Sequence, residues 1–279
     1  MSAPLLAVDG DSLAHRAYHA LPKSIRRAER RPAGAIVGFA NMLLRLWDSE
    51  RPRAIVVGWD TLEVPTYRHE AFAGYQSGRE FDADLLEQLP MLPELVSAMG
   101  FAAAKAPGFE ADDFLAAAVA SEEARGGSTL VATSDRDAFQ LVSERTTVLQ
   151  PVRGVSELAR ITPAEVRERY GVEPSQVPDF IALRGDPSDK LPGARGVGAK
   201  TAAQLLGQYG SLEGALAAGR FAAQAEELRL YRRIASLDAS APLPPLPDHA
   251  PTWAEASRLA GDWGLGALSK RLADLGSST

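Results

Sequence analysis

Leu5-Leu6-Ala7-Val8-Asp9 is a short apolar run that ends on a carboxylate. Such a run, with no polar face, reads as a buried strand. The arrangement recurs downstream. Ala54–Val57 is followed three residues later by Asp60, and Thr129–Ala132 by Asp135 and Asp137. Thr147–Leu149 reads as a fourth strand and Phe101–Ala104 as a weaker fifth. Between them lie stretches of helical periodicity: Gly34–Trp47, Leu85–Met99 (interrupted by Pro90 and Pro93) and Ala111–Ala124. Strands alternating with helices predict an α/β fold with a mostly parallel central sheet flanked by helices.

In open parallel sheets the carboxyl ends of the strands form the functional edge. Asp9, Asp60, Asp135 and Asp137 all fall there. Glu110, Asp112 and Asp113 open the Ala111–Ala124 helix, where the helix dipole tolerates negative charge. Asp186 and Asp189 add a further pair. Taken singly, Asp135 or Asp137 reads as a cap or turn residue, and Asp112-Asp113 as an ordinary acidic helix start. Together, nine carboxylates converging without cations would repel one another and take up protons. Hard divalent cations with oxygen ligands remove that conflict. The chain has no cysteine, and its histidines (15, 19, 69 and 249) are scattered, so the ions predicted are Mg²⁺ or Mn²⁺ rather than zinc. Two such ions about 3.5–4 Å apart would polarise a phosphodiester and activate water.

From about residue 161 the strand-like runs give way to short helices. Thr162-Pro163-Ala164-Glu165 is a helix start with Thr as N-cap and Pro in the first turn. Leu191-Pro192-Gly193-Ala194-Arg195-Gly196-Val197-Gly198-Ala199-Lys200-Thr201-Ala202 is the most specific stretch in the chain. Gly196-Val197-Gly198 is expected to turn tightly where a Cβ would obstruct. The following helix would then present free N–H groups to an anion, with Arg195 and Lys200 adding charge. This is a helix–hairpin–helix, over about residues 177–209, which holds a DNA backbone without reading bases. The domains predicted are therefore 1–160, an α/β catalytic unit, and 161–279, a helical DNA-binding subdomain. Ala241–Pro251, with five prolines, reads as a linker, and Trp253–Leu275 as one or two amphipathic helices packing back on the body.

The chain has 279 residues, 46% hydrophobic and 24% charged, with a formal net charge of −6. These are values for an ordinary globular protein. Missing cysteine excludes disulfides, zinc–thiolate sites and cysteine nucleophiles, and fits a reducing, cytoplasmic setting. No apolar run reaches membrane-spanning length, and the N-terminus does not read as a secretory signal. The basic run Lys23–Arg31 reads equally as a track for a DNA strand or as a solvated loop. Arg229, Arg232 and Arg233 read as a solvated helix face.

These residues resemble the 5′ nuclease family, which comprises the 5′→3′ exonuclease domain of bacterial DNA polymerase I, phage 5′ exonucleases and flap endonucleases. The likeness runs through residues 5–12, 16–20, 67–70, 110–113, 133–137 and 185–193 into the hairpin. The chain stops where a polymerase module would begin, so it looks like a stand-alone member. The resemblance implies a metal-dependent 5′→3′ exonuclease or flap endonuclease, a monomer acting on DNA with 5′ ends or flaps in primer removal and repair, alongside a polymerase and ligase. It places one ion on Asp9, Asp60, Glu110, Asp112 and Asp113, and a second on Asp135, Asp137, Asp186 and Asp189. It carries DNA contacts to Arg16, Arg68, Arg195, Gly196, Val197, Gly198, Lys200 and Thr201, with K⁺ at the hairpin. It puts a helical arch over about residues 70–95, with Tyr75, Gln76 and Arg79 at the scissile phosphate. Two departures stand out. Gln76 occupies a position where the family has Lys, and Lys190 one where it has Asn. Glu80–Asp84 is also acidic where an arch should attract a strand. These departures keep a second reading open, a flap-DNA-binding protein of the same fold with weak or no cleavage. A haloacid-dehalogenase-like phosphatase, suggested by Asp9-Gly10-Asp11, needs neither the hairpin nor the later acids.

Overall fold

The computed structural model describes residues 3–61, 64–78, 80–153 and 157–277. Its centre is a six-stranded sheet in the order β3-β2-β1-β4-β5-β6. The strands are β1 (Leu5–Asp9), β2 (Ala54–Gly58), β3 (Ala102–Ala104), β4 (Thr129–Ala132), β5 (Thr146–Arg153) and β6 (Glu157–Ile161). The first five are parallel, with Leu5 opposite both Ala54 and Thr129. β6 runs antiparallel to β5. Its residues escape the sequence reading because only Ile161 in it is fully buried, so the strand has no continuous apolar run and sits at the sheet edge.

The helices are α1 (Gly10–Ala20), α2 (Gly34–Glu50), α3 (Tyr67–Ala71), α4 (Ala83–Leu86), α5 (Met91–Ala98), α6 (Ala111–Ala124), α7 (Pro163–Tyr170), α8 (Val177–Arg184), α9 (Ala199–Tyr209), α10 (Leu212–Ala217), α11 (Ala225–Ala235), α12 (Trp253–Asp262) and α13 (Gly266–Gly276). Thr162 caps α7 by accepting from the Glu165 N–H. Successive strand residues point to opposite faces, and both faces are covered. Leu5, Ala7, Val56 and Val131 pack with Phe114 and Leu115 of α6, Phe180 of α8 and Leu228 of α11. Leu6, Val8, Ile55 and Val57 pack with α1, α2, α5 and the α12–α13 pair. The late helices α8 and α11 therefore share a core with the sheet, and Trp253 and Leu272 close the other face. Among the described residues no helix is long and apolar enough to cross a membrane.

The helical arch expected over about 70–95 takes a different form. Among the described residues, 73–78 are turns, α4 is a single turn, and α5 buries Leu92, Leu95 and Val96 in the core. Gln88 accounts for this. Its carboxamide is fully buried, accepts from the Ala35 N–H at 2.9 Å and donates to the Asp84 carbonyl at 2.6 Å. It caps α2, whose own N-cap Ala33 offers no side chain for the task, and holds this segment against the body.

Candidate active site

Strand ends and helix starts meet in an open cleft of about 1000 Å³. β1 delivers Asp9, which also caps α1 by accepting from the Ser12 N–H at 2.9 Å and takes the Thr133 hydroxyl at 2.7 Å. The turn after β2 delivers Asp60, which accepts from the Ala111 N–H at 2.8 Å and so fastens the start of α6 to the sheet edge. Gly58 makes that approach possible, because a Cβ there would stand 2.5 Å from the Ala111 carbonyl. α6 then brings Glu110 and Asp112, the loop after β4 brings Asp135 and Asp137, and the loop after α8 brings Asp186 and Asp189. Eight of the nine expected acids line this one cleft.

Asp113 does not. It is fully buried, and its carboxylate forms a two-pronged pair with Arg68 at 2.7 and 2.9 Å while accepting the N–H groups of Glu110 and Asp238. Adjacent helix residues point about 100° apart, so Asp112 faces the cleft and Asp113 faces the core. Arg68 is corrected with it. Its side chain is 1% exposed and also donates to the Ile234 carbonyl, so it is a buried counter-charge rather than a DNA contact. Arg16 lies outside the cleft lining as well, its guanidinium donating to the Pro151 and Val152 carbonyls.

Asp11 lines the cleft and was missed as a ligand candidate. It accepts from the Asp60 N–H at 2.7 Å. The signal was present as the Asp-x-Asp spacing after β1, which pointed instead to a phosphatase. Arg136 and Arg184, also in the lining, carried no recognised signal.

Five of the cleft carboxyls hold their protons more tightly than usual. Burial, reinforced by Asp60 and Asp135, pushes Asp9 up to about 7. Burial, with Asp135 and Asp186 nearby, pushes Asp189 up to about 6. Asp11, Asp112 and Asp137 are raised well above the carboxylate range, first by burial and then by neighbouring acids. Asp112 Oδ1 is buried and accepts no hydrogen bond among the described residues, and Arg68 comes no closer to it than 3.6 Å. A divalent cation fits that orphaned oxygen. Among the described residues no three of the side chains form a ready-made metal cage.

Tyr75 and Gln76 stand at the rim. The Tyr75 hydroxyl donates to Glu110 at 2.8 Å, and the Gln76 amide donates to the Tyr75 oxygen at 2.8 Å and to Asp189 at 3.1 Å. Gln76 therefore fastens Asp189 and, through Tyr75, Glu110, where a lysine would have brought charge. Arg79 lies outside the described residues. Lys190 is exposed, adopts φ +60° and does not line the cleft.

α8 and α9 flank the hairpin, whose groove of about 520 Å³ includes Arg195, Gly196, Val197 and Gly198. The steric expectation for its glycines is corrected. A Cβ at Gly196 or Gly198 would meet nothing within 4 Å. Gly196 is needed for its φ of +74°, whereas Gly198 has an ordinary φ of −96°. The open space lies outside the protein, at the start of α9, where Lys200 and Thr201 are exposed.

Comparison with known proteins gives two family matches: 5′-3′ exonuclease, N-terminal resolvase-like domain, over residues 4–171, and 5′-3′ exonuclease, C-terminal SAM fold, over residues 172–256. DNA polymerase I of Mycobacterium leprae is 46% identical over 212 residues, which cover 75% of this chain and 23% of that polymerase. The chain thus spans about a quarter of the length of the curated relatives it matches. Among solved structures, a bacteriophage T5 flap endonuclease in a pseudo-enzyme–product complex with DNA and metal ions superposes with a TM-score of 0.70 at 18% identity, covering 97% of this chain and 98% of that one. The catalytic core of Rad2 in complex with DNA substrate gives 0.62 at 16% identity, covering 98% and 91%.

Proposed function

This chain belongs to the 5′-3′ exonuclease family, and from that premise we propose that it hydrolyses DNA phosphodiesters near 5′ ends and flap junctions with the help of divalent metal ions. The observation that carries this reading is the cleft, where acids from five separate segments converge and Asp112 Oδ1 is left without a hydrogen bond among the described residues. Asp9, Asp11, Asp60, Glu110 and Asp112 would hold one Mg²⁺ or Mn²⁺, and Asp135, Asp137, Asp186 and Asp189 another. Bound there, such ions polarise a phosphodiester and activate water. The chain's own residues do the positioning. Tyr75 orients Glu110, and Gln76 orients Asp189. Arg195, Lys200, Thr201 and the free N–H groups opening α9 take a backbone phosphate, with K⁺ at the hairpin carbonyls. The metal- and DNA-bound T5 relative and the DNA-bound Rad2 core support this assignment. A monomer working beside a DNA polymerase and ligase in the cytoplasm is the setting that goes with it.

Gln76 favours one second reading. Its amide is committed to Asp189 and brings no positive charge to the phosphate, which fits a flap-binding protein that cuts weakly. Incubating a 5′-labelled flap duplex with the protein in Mg²⁺, Mn²⁺ or EDTA separates the two. Metal-dependent cutting near the junction, reduced about 10³-fold or more in Asp112→Asn, is expected. Tight binding without cutting in any metal would favour the second reading, and neither binding nor cutting would sink both.

A further inference from the structure

The cleft poses an electrostatic problem for a polyanionic substrate. Ten acids line it, Asp11 and Glu80 included, against two Lys or Arg side chains among the described residues, Arg136 and Arg184. Gln76 leaves one expected cation out. Arg184 is also the side chain that the cleft shares with a neighbouring groove of about 410 Å³, lined by Arg169, Tyr170 and Lys200. Lys200 lies in the first turn of α9, at the hairpin. Arg184 therefore stands where the acidic cleft meets a groove that carries Arg169 and reaches Lys200 at the start of α9.

Its guanidinium is held on one side and available on another. Nε donates to the Gly185 carbonyl at 2.9 Å, and Nη2 meets Asp186 Oδ2 at 3.1 Å. Its Cζ lies over the Phe180 ring, 5.2 Å from the centroid, and Phe180 in turn stacks on Tyr170 at 5.0 Å and 15°. Nη1 donates to no acceptor among the described residues, and the side chain keeps about a quarter of its surface exposed. An arginine serving only to close the C-terminus of α8 needs the Gly185 contact and nothing more. A stacked, preoriented fork with a spare edge is the form in which arginine takes a phosphate.

We propose that Arg184 is a phosphate-binding residue that guides the DNA backbone from the start of α9 into the acidic cleft and supplies there positive charge that Gln76 does not. This rests on the nuclease reading above. Both would fail together if the chain bound no DNA, whereas the inference alone fails if the chain binds DNA without using Arg184.

The test is equilibrium binding of a fluorescent 5′-flap duplex to the full chain in EDTA, at several salt concentrations, for the wild type, Arg184→Met and Arg184→Lys. Arg184→Met should bind about tenfold more weakly, the loss of one charge-assisted contact. Its plot of log affinity against log salt should be shallower by roughly 0.9, one phosphate's worth of released counterions. Arg184→Lys should restore the slope. An unchanged affinity and slope in Arg184→Met would overturn the proposal. So would a weaker affinity with the wild-type slope that lysine cannot rescue, since that marks a structural role alone.

Discussion

Two groups of acids in this molecule carry the same charge and meet opposite fates. Asp82, Asp84 and Glu87 face the basic run at residues 23–31. Lys23 reaches Asp82 at 3.3 Å, Arg26 reaches Asp84 at 3.7 Å, and Arg27 and Arg31 reach Glu87 at 2.6 and 2.7 Å. The Asp82 carboxyl is accordingly held below the usual carboxylate range, by the Tyr18 hydroxyl first and by the Asp84 N–H and Lys23 after it. In the cleft the acids face mainly one another, and several are pushed up. The basic run, which the sequence left open between a DNA track and a solvated loop, is thus largely occupied by the acidic segment that looked out of place. The same contrast recurs within one turn of α6. Asp113 is neutralised by Arg68, while Asp112 keeps an unbonded oxygen. Asp113 meets its counter-charge in the core, whereas the cleft sets ten acids against two arginines among the described residues and leaves Asp112 Oδ1 without a hydrogen bond.

The harshest way to break this contrast is to remove the counter-charge inside. Arg68→Met leaves Asp113 buried and unpaired, and should destabilise the protein by about 3–5 kcal/mol. Denaturant unfolding would show it, and a loss under about 1 kcal/mol would mean that Asp113 is neutral in the fold. pH tests the cleft instead. Asp9 and Asp189 bind protons more tightly in the folded chain than in the unfolded one, so their contribution is fully present below about pH 4. It is lost as pH rises through about 6 for Asp189 and about 7 for Asp9. In EDTA these two groups should therefore favour a higher Tm at pH 5 than at pH 8, and Mn²⁺ should recover Tm at pH 8. A metal-free Tm that climbs steadily from pH 5 to 8, with no response to Mn²⁺, would argue against a cation-dependent cleft.

Adding a charge sharpens the comparison. Gln76→Lys should raise flap cleavage by about 10- to 100-fold, since a single preorganised stabiliser is worth up to about 10²–10³ in rate. A slower variant would show that Asp189 depends on the amide that Gln76 now donates. The smallest effect is expected at the paired segment. Glu87→Gln weakens two partly exposed ion pairs and should cost under about 1 kcal/mol, read by the same unfolding assay. A larger loss would mean that the clasp, rather than buried Gln88, holds the segment down.

Much of the site was legible because its signals are local. An apolar run followed by aspartate announces both a strand and the edge where it ends, and Asp9, Asp60, Asp135 and Asp137 needed only that rule. The hairpin was legible for the same reason, though its steric explanation was not, since only coordinates show that the space beside Gly196 and Gly198 is empty. Asp11 was readable in principle but drawn toward another motif. β6 and the form of residues 72–78 and 80–90 were not readable, because one depends on pairing at a sheet edge and the other on a glutamine bonded to residues more than fifty positions away.

The sequence by itself determined the alternation of the first five strands with helices, the helical second half, the hairpin and the acidic character of the candidate site, since periodicity, glycine placement and acid spacing act over a few residues. Only the tertiary structure decided which acid is neutralised at close range and which keeps an oxygen without a hydrogen bond among the described residues. Asp112 and Asp113 are identical side chains on neighbouring residues, and a rotation of about 100° along the helix brings one to Arg68 in the core and leaves the other in the cleft. Charge neutralisation depends on which groups packing brings within a few ångströms, and Arg68, Arg184 and the basic run at 23–31 take their roles from that proximity.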